Sequence, residues 1–271
     1  MEKEERTVLI TGCSSGMGRA AARYLAEAGY RVYAGSRTPD MLQEDASANL
    51  IPIALDITDP QSIEAAVTQI GRIDVLVNNA GYGLVSTVEE VSEKEMYAQF
   101  EVNVFGVMRM CKAVIPKMRQ SQSGVIINIS SFLGKIGLPL LTFYNASKYA
   151  VEGITDSLRY ELSGFGIRVH SIMPGFFDTN FARDNLVTNA TTFSETSPYA
   201  SLVSTLAPTI VEQINHGNDT AEVAALIREI IEDREFPARC TAGEKAKKFI
   251  PMKRELSDED FERRVRAYYD L

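Results

Sequence analysis

The stretch Thr7-Val8-Leu9-Ile10-Thr11-Gly12-Cys13-Ser14-Ser15-Gly16-Met17-Gly18 decides how this chain folds. Its first five residues are apolar or β-branched, the signature of a short buried strand. An amphipathic pattern follows over Gly18–Ala28, and the glycines at 12, 16 and 18 fall around the turn between strand and helix. Glycine permits the tight turn and lets the backbone approach a ligand closely. A helix starting there presents unpaired N–H groups and the positive end of its dipole, a ready site for a pyrophosphate. The first gap is wider than in G-x-G-x-x-G, so the glycines alone decide little. Their place between the first strand and the first helix makes nucleotide binding the reading, with Gly12, Ser14, Ser15, Gly16, Met17 and Gly18 as candidate contacts.

Outward from this unit, short apolar runs alternate with helix-length segments. Candidate strands are Val8–Thr11, Arg31–Ala34, Ile51–Leu55, Val75–Asn78, Val125–Ile129 and Ile167–Ile172. They are nearly continuous in apolar residues, as expected of a parallel sheet covered on both faces. Candidate helices are Gly18–Ala28, Gln61–Ile70, a long one from Glu93 to about Arg119, and Asn145–Ser163. With right-handed crossovers this is an α/β fold: a single doubly wound parallel sheet, Rossmann-type, with helices on both faces. We expect one domain over residues 1–271, without repeats. From Asn180 to Asn218 the pattern weakens into Thr, Ser and Asn with scattered Phe, Tyr and Leu. A long irregular stretch in a compact domain reads as a substrate lid. A helix over Thr220–Asp233 follows, and residues 234–271 read as a C-terminal extension that completes a helical lid region, with a short run near Phe236–Thr241 and a charged helix over Ser257–Tyr269.

Composition narrows the function. The chain has 271 residues, 45% hydrophobic and 24% charged, enough for a large core. A net charge of −8 argues against nucleic acid or anionic membrane as a general partner, since both need a basic face. No apolar run approaches the length of a bilayer span. The charged start, Met1-Glu2-Lys3-Glu4-Glu5-Arg6, lacks a signal-peptide hydrophobic region, so the expected location is cytoplasmic. Cys13, Cys111 and Cys240 are odd in number and widely spaced, and His170 and His216 stand in no ligand motif, so we expect neither a disulfide framework nor a metal site.

Two further stretches carry chemistry. At the end of the second strand, Ser36 occupies the place where NAD-binding sheets usually put an acidic residue, and Arg37 stands next to it. A guanidinium binds a ribose phosphate through paired hydrogen bonds, and no carboxylate is expected there to repel it, which favours NADP(H) over NAD. The plainer reading is a surface arginine. The second stretch is Tyr144-Asn145-Ala146-Ser147-Lys148. On a helix, positions four apart share a face, so the Tyr144 hydroxyl and Lys148 ammonium project together. A free tyrosine has a pKa of about 10, and a fixed cation lowers it toward a useful acid/base.

Several motifs now fall into one order. Asp56 with Ile57 follows the third strand, Asn78-Asn79-Ala80-Gly81 ends the fourth, and Asn103 lies in the long helix. Ser130-Ser131 ends the fifth strand, and Pro174-Gly175 with Thr179 ends the sixth. From about Thr7 to Thr179 the chain resembles the short-chain dehydrogenase/reductase family. The run Thr11 to Gly16 and Gly137-Leu138-Pro139 look most like its 17β-hydroxysteroid and retinol dehydrogenases. The resemblance implies an oxidoreductase with Asn103, Ser131, Tyr144 and Lys148 as its catalytic set. Ser131 would hydrogen-bond the substrate oxygen, Tyr144 would exchange a proton with it, Lys148 would lower the Tyr pKa and hold the nicotinamide ribose, and Asn103 would hold a relay water. It implies that Asp56 meets the adenine, that the Asn79–Gly81 turn supports the cofactor cleft, that Pro174 and Gly175 border it, and that Thr179 contacts the carboxamide. It also implies a homodimer or homotetramer formed through the long helix and the helix after Tyr144.

Plainer readings stand beside these. Ser130 reads as a buried hydroxyl satisfied by backbone, Asn78 as a sheet brace, Cys13 as a small filler and His170 as a core or interface histidine. Asn103 alone would be a helix-bending polar residue, and only the constellation makes it catalytic. Phe132, Leu138, Leu141, Phe176, Phe177 and Phe181 flank the catalytic candidates and suit a bulky apolar carbonyl or alcohol. The alternatives are an NAD-dependent retinol- or steroid-type dehydrogenase working in the oxidative direction, and a protein that senses NADP(H) without turnover.

Overall fold

A computed structural model describes residues 6–179 and 185–271. Nine strands occur among them: β1 (Thr7–Thr11), β2 (Arg31–Ser36), β3 (Leu50–Ala54), β4 (Val75–Asn78), β5 (Gly83–Val85), β6 (Gly124–Ile129), β7 (Ile167–Pro174), β8 (Leu186–Thr188) and β9 (Arg239–Ala242). Seven form one parallel sheet in the order β3-β2-β1-β4-β6-β7-β9, and β5 pairs with β8 in a separate parallel ladder. The helices are α1 (Gly16–Glu27), α2 (Pro60–Ile70), α3 (Glu93–Phe100), α4 (Val107–Gln120), α5 (Thr142–Leu162), α6 (Ala200–Asn215), α7 (Ala221–Glu232), α8 (Gly243–Glu255) and α9 (Asp258–Tyr269).

The strands are continuous apolar runs because alternate side chains enter two different cores. In β1, Val8 and Ile10 join one cluster and Leu9 the other; β4 divides as Val75 and Val77 against Leu76, and β6 as Val125 and Ile127 against Ile126. The first cluster is closed by Ala21, Ala22 and Leu25 of α1 and by Val223, Ile227 and Ile230 of α7. The second is closed by Ile63 and Val67 of α2, Met110 and Val114 of α4, and Val151 of α5. The doubly wound arrangement follows. The chain runs outward from β1 to β3 and returns to place β4 on the other side of β1, which opens a crevice at the carboxyl ends of β1 and β4.

The long helix expected over Glu93–Arg119 is interrupted. A π-helical segment, Glu101–Gly106, joins α3 to α4, and Asn103 sits in it. Such bulges re-aim side chains and recur at functional sites. The segment 180–218 is not irregular throughout: α6 occupies Ala200–Asn215 and buries Leu206, Ile210 and Ile214, spaced four apart, against a third cluster with Phe132, Phe176 and Phe249. Its Ser and Thr content and the internal Pro208 conceal the helix in the sequence. The short run near Phe236–Thr241 becomes β9, the seventh strand, beside β7. The helix α8 went unforeseen because its sequence is mostly charged and it buries only Gly243, Ala246, Phe249 and Ile250. No helix among the described residues is long and apolar enough to cross a membrane.

Candidate active site

The glycine turn is built as its sequence requires. Gly12 has φ +72°, and a Cβ there would stand 2.7 Å from Ala80 Cα; Gly16 has φ +57°. The amide of Asn79 locks the turn from the next strand, donating to the carbonyls of Thr11 at 2.9 Å and Gly12 at 3.0 Å. The Thr11 hydroxyl accepts from the N–H groups of Asn79 and Ala80, each at 3.0 Å. Ser15 caps α1 without a side-chain hydrogen bond, and no acidic residue lies in the first turn. The first N–H groups of α1 therefore face the crevice, where a phosphate would satisfy them. A cleft of about 920 Å³ runs along this turn, and Gly12, Ser14–Gly18, Arg37, Asp56, Ile57, Asn79–Gly81, Tyr144, Lys148 and Thr179 line it. These donors and the close-packed glycines fit a dinucleotide.

Arg37 is exposed at one end of the cleft, and the Ser36 hydroxyl accepts from Thr38 N–H at 3.1 Å. Asp56 stands close enough to matter. Burial works to raise its carboxyl, but the Thr58 N–H at 2.9 Å, the Thr58 hydroxyl at 2.7 Å and the Arg37 charge hold it below the usual carboxylate range. The expectation that no carboxylate stands near Arg37 is thus corrected, because β3 ends beside β2 and brings Asp56 there. Arg19, in the first turn of α1, is committed to Asp45, whose side chain is only 5% exposed, at 2.5 Å.

Tyr144 lies in the first turn of α5, where its hydroxyl is hydrogen-bonded to Ser131 at the end of β6. Ser131 also accepts from Leu133 N–H at 3.1 Å, which fixes the short turn after β6. Lys148 is buried, with Nζ 5.7 Å from the centre of the Tyr144 ring and donating to Ile129 O at 2.9 Å. Asn103, also buried, donates from Nδ2 to Tyr82 O at 2.9 Å and to the Ser147 hydroxyl at 3.1 Å, while its Oδ1 accepts from Tyr82 N–H at 3.1 Å. Burial pushes the Tyr144 phenol up to about 12, with the Ser131 hydrogen bond acting the other way. Burial pushes Lys148 down to about 8, with Glu152 pulling it back up. The expected lowering of Tyr144 by Lys148 is not what sets the phenol here: desolvation dominates and only the Ser131 hydrogen bond opposes it, so the phenol is a protonated acid at neutral pH.

A smaller cavity of about 60 Å³ opens on the other side of Tyr144 and shares Met17, Ser130, Tyr144 and Thr179 with the cleft. Phe132, Leu141, Phe176 and Phe177 line it as the sequence suggests. Pro174 and Gly175 border this cavity rather than the nucleotide cleft. Leu138 lines neither; it is buried in the third cluster and supports the wall from behind. Phe181 lies outside the described residues. The sequence reading missed Leu186, Ile210 and Ile214, which complete the cavity from β8 and α6, and Tyr82 and Ser147, which hold Asn103. Ser147 stands inside the Tyr144–Lys148 motif, a signal that could have found it. Ser130 hydrogen-bonds through its backbone, N–H to Ile172 O at 2.8 Å, but its buried hydroxyl finds no partner of normal geometry among the described residues, contrary to the expectation of a backbone partner. Asn78 braces the sheet as read, donating to Asn128 at 2.9 Å. Cys13 and His170 are buried, the latter with Nδ1 2.9 Å from Pro237 O.

Comparison with known proteins agrees with this geometry. The short chain dehydrogenase family profile matches residues 6–190. The 3-ketodihydrosphingosine reductase of Bacteroides thetaiotaomicron is 34% identical over 269 residues, 99% of each chain. A short-chain dehydrogenase from Streptomyces avermitilis superposes with a TM-score of 0.82 at 33% identity, covering 99% of this chain and 97% of that one. One from Burkholderia cenocepacia in complex with NADP gives 0.76 at 26% identity, covering 99% of both. The chain belongs to the short-chain dehydrogenase/reductase family of oxidoreductases.

Proposed function

We propose that the protein is an NADP(H)-dependent oxidoreductase that interconverts a bulky apolar ketone or aldehyde and its alcohol, with Tyr144 as the acid/base. The observation that carries this is the position of Tyr144, bonded to Ser131, on the wall shared by a glycine-lined cleft and an apolar cavity. A nicotinamide would supply or accept the hydride. Gly12, Ser14–Gly18, Asn79–Gly81, Asp56, Ile57 and Thr179 would hold the cofactor, with Arg37 toward its ribose phosphate. The NADP bound to the Burkholderia relative and the absence of an acidic residue at Ser36 support that choice. Ser131 and Tyr144 hold the carbonyl oxygen, and Tyr144 donates its proton as charge develops there. The Lys148 ammonium stabilises the phenolate that donation leaves, an interaction stronger in the transition state than before it. A phenol kept protonated suits the reductive direction.

Phe132, Leu141, Phe176, Phe177, Ile210 and Ile214 around the smaller cavity support an apolar substrate with one polar group. The name of the Bacteroides relative supports a long-chain ketone, and the likeness at Thr11–Gly16 supports a steroid or retinoid. Of the segment 180–218, residues 180–184 lie outside the described residues and 185–218, with α6, act as the lid over this pocket; residues 234–271 are an extension of a single domain, and the protein works in the cytoplasm. The exposed Phe105, Met108, Tyr149 and Tyr160 on the segments around α4 and α5 support a homo-oligomer through that face. Tyr144→Phe tests the mechanism: turnover of NADPH with a ketone panel falls by about 10²–10⁴-fold, while NADPH affinity stays near that of the wild type. Full activity in this variant sinks the mechanism.

A further inference from the structure

Glu152 lies on α5 one helical turn beyond Lys148, itself one turn beyond Tyr144, so the three side chains leave one stripe of the helix. It is 3% exposed. Its Oε1 accepts from the Ser171 hydroxyl of β7 at 2.5 Å, and its Oε2 accepts from Arg239 Nε of β9 at 2.6 Å and from Lys135 Nζ at 3.1 Å. Arg239 is shared, reaching Asp156 at 2.6 Å. Lys135 follows the 3₁₀ turn Phe132–Gly134, which begins at Ser131. That turn presses on α5 at the same place: a Cβ on Gly134 would stand 3.0 Å from Lys148 O and 3.2 Å from Glu152 Cγ. One buried carboxylate therefore joins the helix of Tyr144 and Lys148, the turn of Ser131, and the strand that ends at Pro174.

We propose that Glu152 is a positioning residue for the reaction, fixing the Ser131 turn on the Tyr144 helix and countering the charge of Lys148 in the buried site. The inference rests on the roles given above to Tyr144 and Lys148. The charged groups facing Glu152 among the described residues are Lys135 from the turn, Arg239 from β9 and Lys148 from its own helix, with Asp156 sharing Arg239; those facing Lys148 are Glu152 and the phenol of Tyr144. Burial works to raise Glu152, but Ser171, Arg239 and Lys135 hold its carboxyl below the usual range, so it is ionised wherever Lys148 titrates. A buried ammonium is costly unless an opposite charge accompanies it, and Glu152 is that charge.

The test compares wild type, Glu152→Gln and Arg239→Gln from pH 6 to 10. Two quantities are read: kcat/KM for NADPH with a ketone substrate, and the NADPH Kd by nucleotide fluorescence. Lys148 contributes to both. In Glu152→Gln the alkaline limb of each profile moves down by about one pH unit or more, as expected for losing a charge one helical turn away. In Arg239→Gln the limb moves up, because Glu152 keeps its charge and faces one cation fewer. Arg239→Gln also keeps the question answerable if Glu152→Gln fails to fold. Limbs unmoved in either folded variant, with activity and affinity reduced equally at every pH, would overturn the proposal and leave Glu152 a purely structural anchor. Absence of turnover in the wild type with every carbonyl would count against the reductase reading, while the Kd profiles would still decide the role of Glu152.

Discussion

Gly18→Ala asks whether the turn before α1 is built for a pyrophosphate. An alanine Cβ would lie 2.4 Å from Asn79 Nδ2 and 2.5 Å from Gly12 O, where carbon contacts normally stand at about 3.5–4.0 Å. The Gly12 carbonyl is backbone and cannot rotate aside, so the turn or the helix must shift, a cost of about 1–3 kcal/mol. Displacing Asn79 also removes its hydrogen bonds to Thr11 O and Gly12 O, about 0.5–1.5 kcal/mol each. The better helix propensity of alanine offsets about 1 kcal/mol. The net loss is about 1–5 kcal/mol, and a chain of this size loses about 2–4 °C in Tm per kcal/mol. We expect Tm to fall by about 2–20 °C and the NADPH Kd to rise at least about tenfold, since one such factor needs only about 1.4 kcal/mol of misplaced donors. Thermal unfolding followed by circular dichroism, with a fluorescence titration of NADPH, measures both. A variant with wild-type Tm and wild-type Kd would refute the close approach of the turn to Asn79 and its role as phosphate site.

Arg37→Ala should raise the Kd for NADPH about 10- to 100-fold, the range of a lost charged hydrogen bond, and leave NADH nearly unchanged; equal losses, read by fluorescence titration of both cofactors, would show that Arg37 does not contact the phosphate. The pH profile has a fixed sign. Reduction needs Tyr144 protonated, which burial ensures up to about 12, and Lys148 charged, which burial limits to below about 8. So kcat/KM is flat below that pH and falls about tenfold per unit above it; a limb first appearing near pH 10 would contradict the burial of Lys148. Phe132→Ala removes a side chain that is 1% exposed and meets Phe176 edge-on at 5.3 Å, so it should cost about 3–5 kcal/mol in a denaturant titration. A loss below about 1 kcal/mol would mean that the wall of the apolar cavity is not packed as described.

The site was legible where its chemistry is local. Tyr144 and Lys148 are four residues apart on one helix, and Gly12, Gly16 and Gly18 serve a turn that directly follows its strand. The long-range parts were less so. Asp56 reaches Arg37 because β3 lies beside β2, and Ile210 and Ile214 close the cavity from a helix whose Ser, Thr and Pro content hid it.

The sequence by itself determined six strands of the large sheet, though not β5, β8 or β9, since burial on two faces leaves a continuous apolar run; the glycine turn before α1, since only glycine tolerates its conformation and contacts; and the family, through motifs carried in order. Only the tertiary structure decided which distant residues share a pocket. Glu152 and Arg239 are 87 residues apart and meet because β9 is laid beside β7. The raised phenol of Tyr144 and the lowered ammonium of Lys148 likewise come from desolvation, which depends on what the rest of the chain packs around them and has no signature in local spacing.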